Sequence, residues 1–437
     1  MNELLPTKLT RDIQDGLLDY LTTTFALADD DARLALLDFL GDREAGLFKG
    51  PFLRLRLPFR PALGGSTAGL SWNPGFVPYG HQAAAFARLS SADVGPDKPR
   101  PLPTLITTGT GSGKTEAFLY PILDHVLRAR RAGVTGMKAL ILYPMNALAN
   151  DQAKRLTELL TTREELAGIT AALYTGQTGP QRTKVTKDGL ITDRAIIRDS
   201  APDILLTNYK MLDQLLLRHD DQRLWQQSAT SLQYLVLDEF HTYDGAQGTD
   251  VAMLLRRLGA TLGAAEPGRP LGNATPVATS AKLGAGASAG AELAEFAGKV
   301  FGVEFPPESV IGESRQSVDE ACEPVNYELP IPDVDDVLGL TELEDVANAF
   351  CASTDEGGDW SALGTDDDAR VRLGKRLLAH PLTWAVLSAV GERPRSWPEA
   401  VKEIVFRAPN WGRTHQNEPL RAEQALAQFL WLLSMAR

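Results

Sequence analysis

Apolar residues recur at helical spacing through residues 1–45. Leu17, Leu18, Leu21 and Phe25, then Leu34, Leu36, Leu37 and Leu40, fall on common helix faces, and the stretch reads as helical. Residues 52–59, FLRLRLPF, alternate apolar with basic residues, which predicts a short strand ending at Pro58. A joint rich in Gly, Pro and Ser follows at Pro61–Pro78. From about residue 79 to 305 the pattern becomes strand, helix, strand. Strand candidates are Leu102–Thr107, Ala139–Tyr143, Ala171–Tyr174, Ile204–Thr207, Tyr234–Leu237 and Val277–Thr279, with helical patterns between most of them. Such alternation implies an α/β fold, a parallel sheet with helices on both faces. Ligands of these sheets bind at the carboxyl ends of the strands.

Residues 259–290 are rich in Gly and Ala and predict a surface loop. From about residue 320 the pattern changes to Pro-rich joints and helices. Ser396-Trp-Pro-Glu399 reads as a capping box opening a helix through Phe406, and Leu420–Arg437 as an amphipathic helix. The organisation expected is a helical region with a short strand at 1–75, an α/β domain at 76–310 and a helical region at 320–437. No internal repeat is visible.

With 437 residues and 43% hydrophobic content, the chain is long enough for two or three domains with cores. It has no apolar run long enough to span a bilayer and no signal-peptide pattern at MNELLPTKLTRD, so the expectation is a cytoplasmic protein without membrane contact. Its two cysteines, Cys322 and Cys351, form no CxxC pair and read as reduced, partly buried thiols. The net charge of −12 argues against a surface coated with phosphate-binding lysines, but a local basic groove matters more than the total. The acidic runs Asp29–Asp31 and Asp366–Asp368 read as solvated faces or helix starts.

Two stretches carry chemistry. Residues 108–116, TGTGSGKTE, lie between a strand pattern and a helical pattern. Gly109, Gly111 and Gly113 let the backbone turn tightly and point N–H groups inward, with Thr108, Thr110 and Ser112 between them. Lys114 supplies a cation for β/γ-phosphates, and the Thr115 hydroxyl suits Mg²⁺. One departure is Thr108, which stands where the pattern G-x-x-x-x-G-K-[ST] opens with glycine. The second stretch, LVLDEFH at 235–241, ends a buried-looking strand with Asp238 and Glu239. One carboxylate there completes a metal shell and its neighbour positions a water.

These residues resemble the superfamily 2 helicases of the DEAD/DEAH type over residues 76–283. TGTGSGKTE is similar to their motif I, and Asp238-Glu-Phe-His241 to motif II in its D-E-x-H form. Tyr143–Gln152, YPMNALANDQ, is similar to motif Ia. Thr175-Gly176 and Thr207-Asn208 sit where motif Ib and its neighbour fall. Ala278-Thr279-Ser280-Ala281 resembles motif III, with Lys282 in place of the usual threonine. Tyr79-Gly-His-Gln82 resembles the glutamine motif that reads adenine. The longer run DEFHTYDGAQGTDVAMLLRRL is similar to large bacterial helicases of DNA repair and phage defence, including the DISARM and Druantia types.

The resemblance implies a RecA-like P-loop domain that uses ATP and Mg²⁺. Lys114, Asp238, Glu239 and His241 would be catalytic, and Thr115 and Asp238 would hold the metal. Gln82 offers a donor and an acceptor, which suits an adenine edge; the plain alternative is a solvent-facing residue at a helix start. Thr279 and Ser280 would couple His241 to the water site. Pro144, Asn146, Thr175, Gly176, Thr207 and Asn208 would face nucleic acid, DNA ahead of RNA, with Asn146 capping the helix after Tyr143. For the last four the plain alternative is a simple cap or turn. Lys154 and Arg155 read as charge on a solvated helix face, and Tyr243 as a core tyrosine with base stacking as the alternative.

The function expected is an ATP-dependent helicase or translocase motor in defence or repair. The alternatives are a nucleotide switch or scaffold that recruits defence or repair partners, and a P-loop kinase or transporter ATPase, against which DEFH and Gln82 argue. Residues 284–437 hold no Q-x-x-G-R-x-G-R motif; the nearest string is Asn410-Trp-Gly-Arg-Thr414. A second RecA-like domain, in cis or in trans, is therefore expected to complete the motor, and this chain alone to bind ATP and turn it over slowly.

Overall fold

The computed structural model describes residues 6–42, 46–48, 50–65, 67, 69–92, 101–177, 179–281, 289–322, 324–351, 360–391 and 394–436. The chain forms two compact units, residues 59–314, and residues 1–58 together with 315–437.

The unit of residues 59–314 holds a seven-stranded sheet. Its strands are β1 (Thr104–Thr107), β2 (Ala139–Tyr143), β3 (Ala171–Tyr174), β4 (Ile204–Asn208), β5 (Tyr234–Leu237), β6 (Thr275–Ser280) and β7 (Val310–Gly312). They lie in the order β3-β4-β2-β5-β6-β1-β7, and every pairing is parallel. The helices are α1 (Gly80–Leu89), α2 (Lys114–Arg131), α3 (Asn146–Thr162), α4 (Arg194–Asp199), α5 (Tyr209–Leu217), α6 (Gln222–Ser228), α7 (Gly245–Thr261) and α8 (Ala289–Phe301).

The strands read as continuous apolar runs because both sheet faces are covered. Their side chains divide with period two. Leu140, Leu142, Leu205, Leu235 and Leu237 enter one core with Trp225, Leu255 and Phe301. Ile141, Ile204, Leu206, Val236 and Val277 enter the other with Phe86, Phe118 and Leu156. Among the described residues no helix is long and apolar enough to cross a membrane.

All six expected strands are present; three keep their expected ends, and the other three shift by one or two residues. β1 starts at Thr104 rather than Leu102, because Pro101 and Pro103 lack N–H donors for the ladder. β7 was not legible: it is three residues long and follows Pro306 and Pro307, too short for any periodicity. The surface loop expected at 259–290 is divided, since α7 runs to Thr261 and β6 is fully buried; part of it, with Lys282, lies outside the described residues.

The other unit is mainly helical. Its core gathers Phe350, Trp397, Trp411 and Phe429 from the helices Leu343–Cys351, Trp397–Phe406, Pro409–Asn417 and Pro419–Met435. The N-terminal stretch forms helices Pro6–Thr24 and Asp30–Gly41. The acidic runs are helix starts: Asp29 accepts from Ala32 N–H, and Asp366 from Asp368 and Ala369 N–H. The expected strand at 52–59 shrinks to Phe52–Leu53, paired antiparallel with Arg395–Ser396, because those two residues are all the partner supplies. Ser396 occupies the N-cap position of the helix Trp397–Phe406 without a side-chain cap bond. Cys322 and Cys351 are buried free thiols, and burial pushes the Cys351 thiol up to about 12. Among the described residues of this unit there is no second parallel sheet.

At the amino ends of the strands one carboxylate ties three of them together. Asp203, just before β4, accepts from Lys138 Nζ at 2.8 Å and Arg130 Nη1 at 2.9 Å. It also accepts from Thr170 N–H and Thr170 Oγ1, both at 2.8 Å. Lys138 and Asp203 are each 3% exposed at the side chain. Removing one member of a buried pair strands the other. Asp203→Ala should therefore destabilise the protein by about 3–5 kcal/mol, measured by denaturant unfolding, whereas Arg130→Ala, at the exposed arm, should cost about 1 kcal/mol or less. Equal effects would show that the clamp is not centred on the buried pair.

Candidate nucleotide site

The loop between β1 and α2 is braced from within. Thr108 and Ser112 are buried. Their hydroxyls lie 2.6 Å apart, and Ser112 Oγ donates to Gly109 O at 2.8 Å. Threonine at the opening position thus supplies a cross-loop bond that glycine cannot. Gly113 caps α2 in the left-handed region, φ 74°. A Cβ there would sit 2.2 Å from Gln82 Nε2, so both conformation and space require glycine. The first-turn amides of α2 have no acceptor inside the helix, which makes its N-terminus an anion site.

Lys114 follows at once. Its Nζ is buried, makes no hydrogen bond, and lies 3.8 Å from Glu239 Oε1. A buried ammonium with unmet donors is costly unless an anion completes its shell. This orphaned group, with the cradle of Gly111 and Gly113, fits a phosphate.

The register brings the second motif alongside. β5 and β6 pair with Leu237 opposite Ala278, and β6 and β1 with Ser280 opposite Thr107. Thr279 Oγ1 donates to Asp238 Oδ1 and accepts from Glu239 N–H at 3.2 Å. Burial holds the Asp238 carboxyl above its ordinary value; the Glu239 charge adds to this, and the Thr279 bond opposes it. Glu239 has φ 50°, the one positive φ at a non-glycine residue among those described. Such a conformation costs on the order of 1–3 kcal/mol and persists where neighbours enforce it. It lets the chain turn as soon as β5 ends, with Glu239 Oε2 3.4 Å from His241 Nδ1. His241 Nδ1 is also 3.4 Å from Ser280 Oγ. Thr279, expected as a partner of His241, serves Asp238 instead.

Two expectations at this site change. Both polar groups of Gln82 are engaged by backbone: Oε1 accepts from Tyr79 N–H at 2.9 Å, and Nε2 donates to Gly113 O at 3.2 Å. The side chain is buried and braces the phosphate loop, so it offers adenine no free edge as it stands. Arg155 is not a merely solvated charge, because it pairs with Glu116 and reaches Thr115 Oγ1 at 3.5 Å.

Two residues were not foreseen. His81 Nε2 lies 2.8 Å from Ser112 O, and Glu313 accepts from Gly109 N–H at 2.5 Å. His81 was within the quoted YGHQ string. Glu313 had no signal, since it reaches the loop only through the pairing of β7 with β1.

The residues expected to face nucleic acid do share the carboxyl edge of the sheet, through the pairings Tyr143 with Asn208 and Tyr174 with Thr207. Pro144 precedes α3, and Thr175-Gly176 follow β3. Asn146 and Thr207 are used differently from the expectation, and Asn208 takes its plain alternative as a cap. Met145, not Asn146, is the N-cap of α3. Asn146 Oδ1 instead accepts from Asn208 Nδ2 at 2.5 Å, while Asn208 Oδ1 caps α5 through Met211 N–H. Thr207 is buried, its hydroxyl donating to Tyr174 O at 2.6 Å. Tyr243 is buried in the core and has no face for a base. Among the described residues no group of three or more His, Cys, Asp or Glu forms a metal cage.

Part of this chain is similar to known proteins. Residues 80–281 match the DEAD/DEAH box helicase family. The chain is 28% identical to the Druantia protein DruE of Escherichia coli (strain UMEA 4076-1), over 42% of this chain and 15% of that protein. It is 32% identical to the uncharacterized ATP-dependent helicase YprA of Bacillus subtilis (strain 168), over 41% of this chain and 20% of that protein. A crystal structure of the DUF1998 helicase MrfA bound to DNA aligns with a TM-score of 0.42 and 23% identity, over 66% of this chain and 36% of that one. The chain thus spans between 15% and 20% of the length of these two sequence relatives. Residues 80–281 are a DEAD/DEAH box helicase domain.

Proposed function

We propose that this chain binds MgATP at the β1–α2 loop and is the front part of an ATP-dependent nucleic-acid motor. The observation that carries this is the buried Lys114 ammonium, without a hydrogen bond, beside Glu239 at the strand ends. Lys114 and the first-turn amides of α2 hold phosphate oxygens. Thr115 and Asp238 would hold Mg²⁺, which supplies charge neutralisation at the phosphates. Glu239, whose carboxylate lies between Lys114 and His241, orients the attacking water, and His241 links it to Ser280. Gln82 and His81 keep the loop in shape. DNA is favoured over RNA by the likeness of residues 238–258 to large bacterial helicases of repair and phage defence. A second RecA-like domain, in cis or in trans, completes the site.

The test is nucleotide binding and turnover with and without single-stranded DNA, duplex DNA and RNA. Lys114→Ala should lose ATP binding. Glu239→Gln should still bind ATP and turn it over about 10²–10⁴-fold more slowly than the parent chain supplied with the rest of the motor. Parent-like turnover in either variant would remove these assignments. Turnover that no nucleic acid stimulates would favour a switch or scaffold.

Asp238→Asn tests the electrostatic cost of the buried carboxyl through stability. Because the folded carboxyl titrates above the unfolded one, ionisation is penalised in the fold. The penalty appears as pH rises past the unfolded value and is complete above the folded one. The Asn variant should melt higher at neutral pH without Mg²⁺, lose this advantage toward acid pH, and fail to hydrolyse ATP. A melting difference that is flat with pH would dismiss the electrostatic account.

Gln82→Ala should weaken ATP and GTP alike, since the lost bonds brace the Gly113 peptide rather than the base. Loss of roughly 1–3 kcal/mol for ATP alone would restore adenine reading.

A further inference from the structure

Beyond the strand ends, two cavities of about 640 and 380 Å³ lie side by side between α3, β3 and the loop of residues 180–193. They share Asn150, Leu173, Arg182 and Thr192, so they form one cleft. Its outer wall is built, not draped. Ile191 joins the sheet edge, donating to Ala171 O at 3.0 Å and accepting from Leu173 N–H at 2.9 Å. Thr192 Oγ1 donates to Pro180 O at 2.6 Å and accepts from Arg182 N–H at 3.0 Å. Gly189, at φ 145°, leaves room for the Arg182 guanidinium, whose Cζ would lie 3.0 Å from an added Cβ.

The cleft is cationic in a chain of net charge −12. Lys154, Arg182, Lys187 and Arg194 line it, against Glu158 and Asp188. Among the described residues, no carboxylate pairs with Lys154, Arg182 or Lys187. Among the described residues of the same unit Arg130, Lys138, Arg198 and Arg257 do pair with carboxylates, while Arg131, Lys210 and Arg218 do not. Unpaired cations along a concave wall attract a polyanion. The cleft opens at Thr175 and Asn150, beside the strand-end row, and runs along α3 to Thr162, about 18 Å at helical rise.

We propose that this cleft holds the phosphate backbone of a single strand as it leaves the strand ends, a second segment of the nucleic-acid path. The inference rests on the nucleic-acid reading above. Continuity with the strand-end row favours nucleic acid over an acidic peptide.

The experiment measures binding of a short oligothymidylate and one several times longer, across a salt series, with a non-hydrolysable ATP analogue present. Lys154→Gln with Lys187→Gln removes two exposed cations. Arg182→Gln is made separately, because it also packs against Gly189. For the long strand, the double variant should lose about tenfold in affinity at low salt, and its log–log salt slope should fall by about 1.4, at about 0.7 per contact. Short-strand affinity and ATP-analogue binding should be unchanged. Unchanged slope and affinity for the long strand would overturn the proposal. Polyglutamate competing as well as the long strand, and losing that ability in the variants, would reassign the cleft to an acidic peptide. A parent protein that binds neither strand at any salt would overturn the nucleic-acid reading itself, and this inference with it.

Discussion

The parallel register of β5, β6 and β1 is the constraint on which the site depends. These strands end within a few residues of one another, so the phosphate loop, Asp238-Glu239 and Thr279-Ser280 emerge side by side. No one of the three segments makes a site by itself. Thr279 fixes both the Asp238 carboxylate and the Glu239 amide, and this holds the left-handed turn at Glu239. That turn sets the carboxylate within reach of Lys114 and His241.

The two edges of the sheet are built on opposite principles. At the amino edge, Asp203 is saturated by Lys138, Arg130 and Thr170, and its charge is spent on holding strands together. At the carboxyl edge, Lys114 lacks a hydrogen bond and burial raises the Asp238 carboxyl. On the proposed reading, these are the groups that phosphate and metal would meet.

Much of this was visible in the residues. The six longer strands were legible because buried parallel strands are continuous apolar runs. The Gly-Lys-Thr loop and the Asp-Glu strand end were legible because each packs its chemistry into consecutive residues. The acidic runs at Asp29 and Asp366 were readable as helix starts because N-capping is local. Gln82, Asn146 and Thr207 were misread in their partners, since each bonds to backbone or side chain brought in from another element or from the next turn.

The sequence by itself determined the α/β alternation, the phosphate loop with Lys114 and Thr115, and the carboxylates Asp238 and Glu239. Short-range rules of periodicity, glycine conformation and helix capping suffice for these. Tertiary structure alone decided that Val310–Gly312 closes one side of the sheet and carries Glu313 to Gly109. It alone decided that Thr279 serves Asp238, that Gln82 braces Gly113, and that unpaired cations from α3 and the 180–193 loop face one cleft. Each of these joins residues far apart in the chain. Strand order and side-chain partners depend on which faces can be buried together, and that is a property of the packed molecule.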